Sequence, residues 1–178
     1  MAISFVAEGV ATLLRYSDPS GVSNNLPVYN AFAILFMIFM NRIYARLLGW
    51  RLLRSFWNVP LIALGLLAVV DAFFLEPFDA FQSIFISASF LVCIVFSFAY
   101  FVQVLVRSDR PFFARDPSFW LNAGIFIYCS ATLILFLFIN QILTYQPDAI
   151  WTPWRINAAL FLLLNLFYSL ALWMRPQD

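Results

Sequence analysis

The chain has 178 residues, of which 64% are hydrophobic, 20% aromatic and 11% charged, and its formal net charge is +1. An average soluble domain is about 45–50% apolar and about 25% charged, and a fold of this length leaves too much surface exposed to conceal such an excess. The excess must face lipid, which excludes a soluble domain and predicts an integral membrane protein.

Residues 2–15 read as an apolar half-helix that carries Glu8 and ends at Arg15. At about 14 residues it is marginal for spanning, since crossing about 30 Å of hydrocarbon takes about 20 helical residues. No positive region precedes it and no clean small-residue cleavage site follows, so a short or truncated helix is expected rather than a signal peptide. A polar loop rich in Ser, Asn and Gly follows over residues 17–25. Five apolar stretches of spanning length come next, over residues 27–48, 56–75, 81–106, 119–143 and 151–174. Charged and helix-breaking residues separate them: Arg51 and Arg54, then Glu76, Pro77 and Asp79, then the stretch from Arg107 to Pro117, then Gln146, Pro147 and Asp148. Pro153 falls at a helix start, where proline is tolerated, and Pro60 falls in the first turns of its helix. The expected fold is all-α: one polytopic transmembrane helix bundle over residues 1–178, with five full helices and a short sixth at the N-terminus.

Arginine placement sets the expected orientation. Arg42, Arg46, Arg51, Arg54, Arg107, Arg110, Arg115 and Arg175 fall on one side of the five-helix zigzag, and Arg15 and Arg155 on the other. That asymmetry predicts a cytoplasmic C-terminus and an outward-facing acidic loop at residues 76–79. The same arginine run, with Trp50 and Trp57 beside it, suits headgroup anchoring or the docking of an acidic cytoplasmic partner.

Missing residues close off most chemistry. There is no histidine, and all ten basic residues are arginines. The absence of lysine excludes a Schiff base, a P-loop lysine and a lysine nucleophile. The absence of histidine excludes His-ligated haem, HExxH zinc sites, Ser-His dyads and a phospho-accepting histidine. Cys93 and Cys129 both lie within apolar runs and read as reduced core residues rather than a disulfide framework or metal cluster. A net charge near zero gives no reason to expect nucleic acid. No catalytic residue, metal or cofactor is therefore expected, and the chain reads as a non-enzyme.

Polar residues inside the helices form stripes. Gln82, Ser89, Cys93 and Tyr100 share one face of the third spanning helix. Asn122, Cys129 and Asn140 share a face of the fourth, with Thr132 beside it; Asn157 and Tyr168 share a face of the fifth, with Asn165 and Ser169 beside it. Ser89, Cys93, Tyr100, Asn122, Asn157 and Asn165 are expected to make helix–helix polar contacts, and a polar pathway is the alternative.

Charged residues in apolar sequence say more, because a charge near the bilayer centre costs about 2.5–3.5 kcal/mol on insertion scales. On the expected topology Asp71 and Arg155 sit at similar shallow depth near the outer face, which predicts an ion pair between them. Glu8, Asn30, Gln82 and Asn140 fall near the same level. Independent snorkelling to the headgroups explains such residues one at a time; a shared outward-facing, ligand-binding polar cluster explains all six together.

The run Phe119-Trp120-Leu121-Asn122-Ala123-Gly124-Ile125-Phe126-Ile127-Tyr128, with Leu135-Phe136-Leu137-Phe138-Ile139-Asn140 after it, resembles a pattern in uncharacterised multi-helix bacterial inner-membrane proteins. Those proteins in turn resemble the membrane-embedded sensing regions of some bacterial histidine kinases. Glu8, Asn24-Asn25-Leu26-Pro27-Val28-Tyr29 and the closing Ala171-Leu172-Trp173-Met174-Arg175-Pro176 fit the same loose, hydrophobic pattern, which covers most of the chain. The resemblance implies a bacterial inner-membrane location, seven helices and an acid in the helix after the Asn-Asn-Leu-Pro loop. This chain departs from it in that residues 29–40 contain no acid, and the seven-helix pattern implies one further helix ahead of Met1. The expected function is a non-catalytic sensory or signalling module in the lipid bilayer. It would bind a small or lipid-like ligand at its outer face and act through a separate cytoplasmic signalling partner or as a homo-oligomer. A small transporter or channel subunit is a second reading, disfavoured by the lack of an inverted repeat or a broken helix pair. A structural or assembly subunit is a third.

Overall fold

The computed structural model of the chain describes residues 26–49, 58–75, 82–106, 116–139 and 151–174, together with Gly9, Ile142 and Tyr145. Five helices make up the described residues, with no strand among them: α1 (Leu26–Leu48), α2 (Asn58–Val70, continued as a π-helical turn over Asp71–Leu75), α3 (Ser83–Val106), α4 (Pro117–Leu137) and α5 (Trp151–Trp173). All five are long and apolar enough to cross a membrane, counting α2 with its π-turn. The all-α polytopic bundle expected from the sequence is the observed fold. The short helix expected over residues 2–15 lies outside the described residues.

Local sequence sets the helix ends. α1 stops at Gly49, whose φ of 56° is the left-handed conformation that only glycine adopts without strain. α4 starts two residues ahead of its expected limit, because Asp116 caps it: the carboxylate accepts from the Ser118 N–H at 2.9 Å and Pro117 occupies the first turn. Its regular part ends at Leu137, short of the expected residue 143; Phe138 forms a bend, and helical backbone recurs at Ile139, Ile142 and Tyr145.

α4 is the central helix, packed extensively against α3 on one side and α5 on the other; α1 packs on α3. Among the described residues, α2 packs mainly against α1 and α3, and lightly. Its inward stripe is Leu64, Leu67, Ala68 and Asp71, while Leu66, Val69, Phe73 and Phe74 are exposed to the lipid zone. The core is knit by aromatic rings and by one close backbone approach. Phe90 of α3 meets Tyr128 and Phe136 of α4 at ring-centre distances of 5.9 and 6.0 Å. Gly124 of α4 lies so near α5 that an added Cβ would stand 2.6 Å from the Phe167 Cβ.

Candidate functional site: the polar cluster at the α3 N-terminus

α1, α3 and α5 run parallel, so their N-terminal ends share one end of the bundle with the C-terminal ends of α2 and α4. The Tyr29 and Trp154 rings, 5.6 Å apart, and the Phe136 and Trp154 rings, 6.3 Å apart, fix α1, α4 and α5 at a common level there. This is the end that arginine counting assigns to the outside.

Asn30, Asp71 and Gln82 come together at this end, around the N-terminus of α3. All three are essentially inaccessible to solvent. A helix start leaves up to four N–H groups without intrahelical partners, and here distant segments reach two of them. The Asp71 Oδ2 accepts from the Phe85 N–H at 3.0 Å, and the Asn30 Oδ1 accepts from the Gln82 N–H at 3.4 Å. A carboxylate at this position is also favoured by the positive end of the helix dipole. The π-turn starts at Asp71 itself, and such turns, uncommon in helices, often mark functional positions.

Gln82 is the unusual member. Its amide oxygen and nitrogen are both buried and neither has a hydrogen-bond partner. An unsatisfied buried amide costs about 1–3 kcal/mol, so this end of the bundle carries polar capacity that the resting fold does not use.

The Asp71–Arg155 ion pair expected from depth does not form. Arg155 is exposed on α5 while Asp71 is wholly buried. Helix rotation turns Arg155 outward, and the N-terminus of α3 supplies the Asp71 carboxylate with a partner instead. Glu8 and Asn140 lie outside the described residues.

The helix–helix polar contacts fall into two groups. Asn122 is the strongest: its Oδ1 accepts from the Tyr44 hydroxyl at 2.8 Å and the Ser97 hydroxyl at 2.9 Å, and its Nδ2 donates to the Ser97 carbonyl at 3.2 Å. This knot joins α1, α3 and α4. Asn157 accepts from the Tyr128 hydroxyl at 3.3 Å, joining α4 to α5. The Cys93 thiol donates to the Met37 Sδ at 3.8 Å, joining α3 to α1, and Tyr100 is buried in the core. Asn165 departs from expectation. Its amide donates to the Phe161 carbonyl of its own helix at 2.7 Å, and its carbonyl accepts from Ser169 at 2.9 Å, the local back-bonding open to short polar side chains in helices. Ser89 is buried, but its hydroxyl has no hydrogen-bond partner.

Comparison with protein-family models, with curated proteins and with solved structures gives no match. The functional reading therefore stands on geometry and sequence. Tyr44 and Ser97 escaped the sequence reading. Ser97 continues the stripe of Cys93 and was legible by spacing; Tyr44, between Arg42 and Arg46, reads as an interfacial aromatic and only packing reveals its role. Among the described residues no three His, Cys, Asp or Glu side chains gather.

Proposed function

We propose that this protein is a sensory module of the bacterial inner membrane, in which α2 is the moving element. The observation that carries the reading is the buried, unbonded amide of Gln82 beside the one charged side chain by which α2 is held. α2 has thin contacts with the rest of the bundle, and low local packing is where segmental motion is cheapest. Its outer end is held by Asp71 on the α3 N-terminus. A small hydrogen-bonding ligand, free or part of a lipid headgroup, that engages Gln82 and competes for Asp71 would loosen this hold and shift α2. The other end of α2 connects to the arginine-rich segment after α1, where an acidic cytoplasmic partner would read the shift. A ligand biases such an equilibrium only by binding the two states differently, and the unused Gln82 amide supplies that difference. The chemistry excluded by the missing histidine and lysine is consistent with a non-catalytic role.

The resting position of α2 should depend on Asp71. Spin labels at the exposed Val59 on α2 and Ser169 on α5 report it by pulsed electron resonance in nanodiscs. Asp71→Leu, which removes the acceptor, should broaden and displace the distance distribution, whereas Gln82→Leu should leave it narrow and raise thermal stability by relieving the unsatisfied amide. Unchanged distances in Asp71→Leu, or a Gln82→Leu protein less stable than wild type, would make the cluster ordinary structural support and end the sensory reading.

A further inference from the structure

The exposed face of α1 is apolar along most of its length and turns basic towards its C-terminal end. Leu35 and Phe39 are each 45% exposed, and Arg42 and Arg46, one and two turns further on, are exposed as well. At 3.6 residues per turn these four positions fall within about 60° of one another. Their rotation is fixed from the opposite side. Tyr44, between the two arginines, is fully buried and donates to the Asn122 Oδ1 at 2.8 Å. We infer that Arg42 and Arg46 hold the phosphate of one anionic phospholipid, whose acyl chains lie along Phe39 and Leu35.

Arginines near helix ends commonly snorkel to the headgroups one at a time, so depth must decide. α1 has 23 residues, about 34 Å of helix against about 30 Å of hydrocarbon, and so projects little beyond the hydrocarbon at either end. Arg46 is two residues from the helix end at Leu48 and stands at the boundary. Arg42 is six residues from that end, about 9 Å back along the axis. Helical Cα–Cβ bonds tilt towards the N-terminus, which on α1 aims the Arg42 side chain towards the bilayer middle and away from the nearer surface. A charge at that depth is costly unless it is paired. Among the described residues neither arginine has an ion-pair partner: Asp71 lies at the opposite end on the Phe85 N–H, and Asp116 turns to the Ser118 N–H. A lipid phosphate drawn onto this face neutralises both guanidinium groups where they stand.

Position also selects the source of the anion. A phosphate ion or an acidic protein segment approaches from water and meets Arg46 first, whereas a molecule already in the leaflet reaches both arginines. Side chains at i and i+4 have Cβ atoms about 5–6 Å apart, and each guanidinium presents a fork of N–H donors that matches phosphate oxygens. Phosphatidylcholine carries the same phosphate together with a quaternary ammonium, which two arginines repel, so the face favours a lipid of net negative charge. Each basic residue near the surface adds about fivefold in affinity for anionic lipid. Arg155 is the single basic residue of α5 and lies at the other end of the bundle, so it lacks the paired arrangement and serves as the comparison.

The test uses the full chain in detergent, delipidated and then titrated with phosphatidylglycerol or phosphatidylcholine of matched acyl chains, with bound lipid counted by native mass spectrometry. One phosphatidylglycerol should be retained per chain, at least about fivefold more tightly than phosphatidylcholine. Arg42→Gln and Arg46→Gln should each weaken retention by about fivefold. Arg42→Lys, which keeps the charge but loses the fork, should retain more lipid than Arg42→Gln, and Arg155→Gln should match wild type. Phosphatidylglycerol should raise the melting temperature of the wild-type protein but not that of the Arg42→Gln/Arg46→Gln double variant. The lipid-free melting temperatures of the two should agree, because both side chains are exposed. Equal retention of the two lipids, unchanged retention by the double variant, or an equal loss in Arg155→Gln overturns the site. Displacement of the lipid by millimolar inorganic phosphate or by polyglutamate also overturns it, assigning the arginines to a soluble anion or to an acidic protein. None of these outcomes depends on whether α2 responds to a ligand.

Discussion

Asn122 accepts from Tyr44 and Ser97 on one oxygen, so truncating its side chain strands the buried Tyr44 hydroxyl and leaves the Ser97 hydroxyl only its longer, 3.4 Å bond to the Asn122 backbone carbonyl. Removing Tyr44's hydroxyl instead leaves Asn122 still bonded to Ser97. Hydrogen bonds between membrane helices average about 0.6 kcal/mol and reach about 1.7, while stranded buried polar groups cost about 1–3 kcal/mol each. Asn122→Ala should therefore lose roughly 2–3 kcal/mol of unfolding free energy in mixed micelles, and Tyr44→Phe under about 1 kcal/mol. Equal losses in the two variants would mean the knot carries no cooperative energy. At the end of the bundle where α3 begins, Asp71→Asn and Arg155→Gln should be additive in a double-mutant cycle, because the two side chains do not meet; a coupling above about 0.5 kcal/mol would restore the ion pair. Residue identities were legible in the sequence where helical spacing was enough: the level shared by Asn30, Asp71 and Gln82, and the bridging role of Asn122. What was not legible was the rotation of each helix about its axis. That angle decides that Arg155 faces outward, that Asn165 turns back on its own helix and that Asp71 meets an N-terminus.

Helix pairing rests on different features at different places. Between α4 and α5 the decisive feature is Gly124, where an added methyl would meet the Phe167 Cβ at 2.6 Å. The obstructing atom belongs to a Cβ fixed by the backbone, so no rotamer change relieves it, and the two helices must separate. Gly124→Ala should cost about 1–3 kcal/mol, the usual penalty of overpacking, and Phe167→Ala should fail to rescue it because alanine keeps the clashing atom. Full rescue by Phe167→Ala would mean that the ring, not the backbone approach, sets the spacing. α2 has no such contact at its own Gly65, and the hydrogen bond from the Phe85 N–H to Asp71 ties it to α3. The five spans were legible because a stretch of about 20 apolar residues admits little else than a spanning helix. The π-turn at Asp71 was not, since it arises where α2 meets α3 and no local composition announces it.

For the molecule as a whole, orientation decides which end faces the cytoplasm, and the fold itself is neutral on that point. Parallel α1, α3 and α5 put Arg42 and Arg46, both exposed at the end of α1, at the end opposite Asn30, Asp71 and Gln82. Insertion follows the excess of arginine in short loops, which are retained on the cytoplasmic side. Reporter fusions after Asp178 should therefore be active on the cytoplasmic side, and fusions within residues 76–79 on the outer side. The charge balance also predicts how to break this arrangement. Replacing Arg107, Arg110 and Arg115 together by Gln removes three of the eight retained charges without touching a described helix. That variant should show mixed orientation, whereas Arg155→Gln should leave the orientation unchanged, because Arg155 already lies on the arginine-poor side. An outer-side signal from the C-terminal fusion of the wild-type chain would invert the bundle. Asn30, Asp71 and Gln82 would then face the cytoplasm, and any ligand for them would have to be an intracellular one.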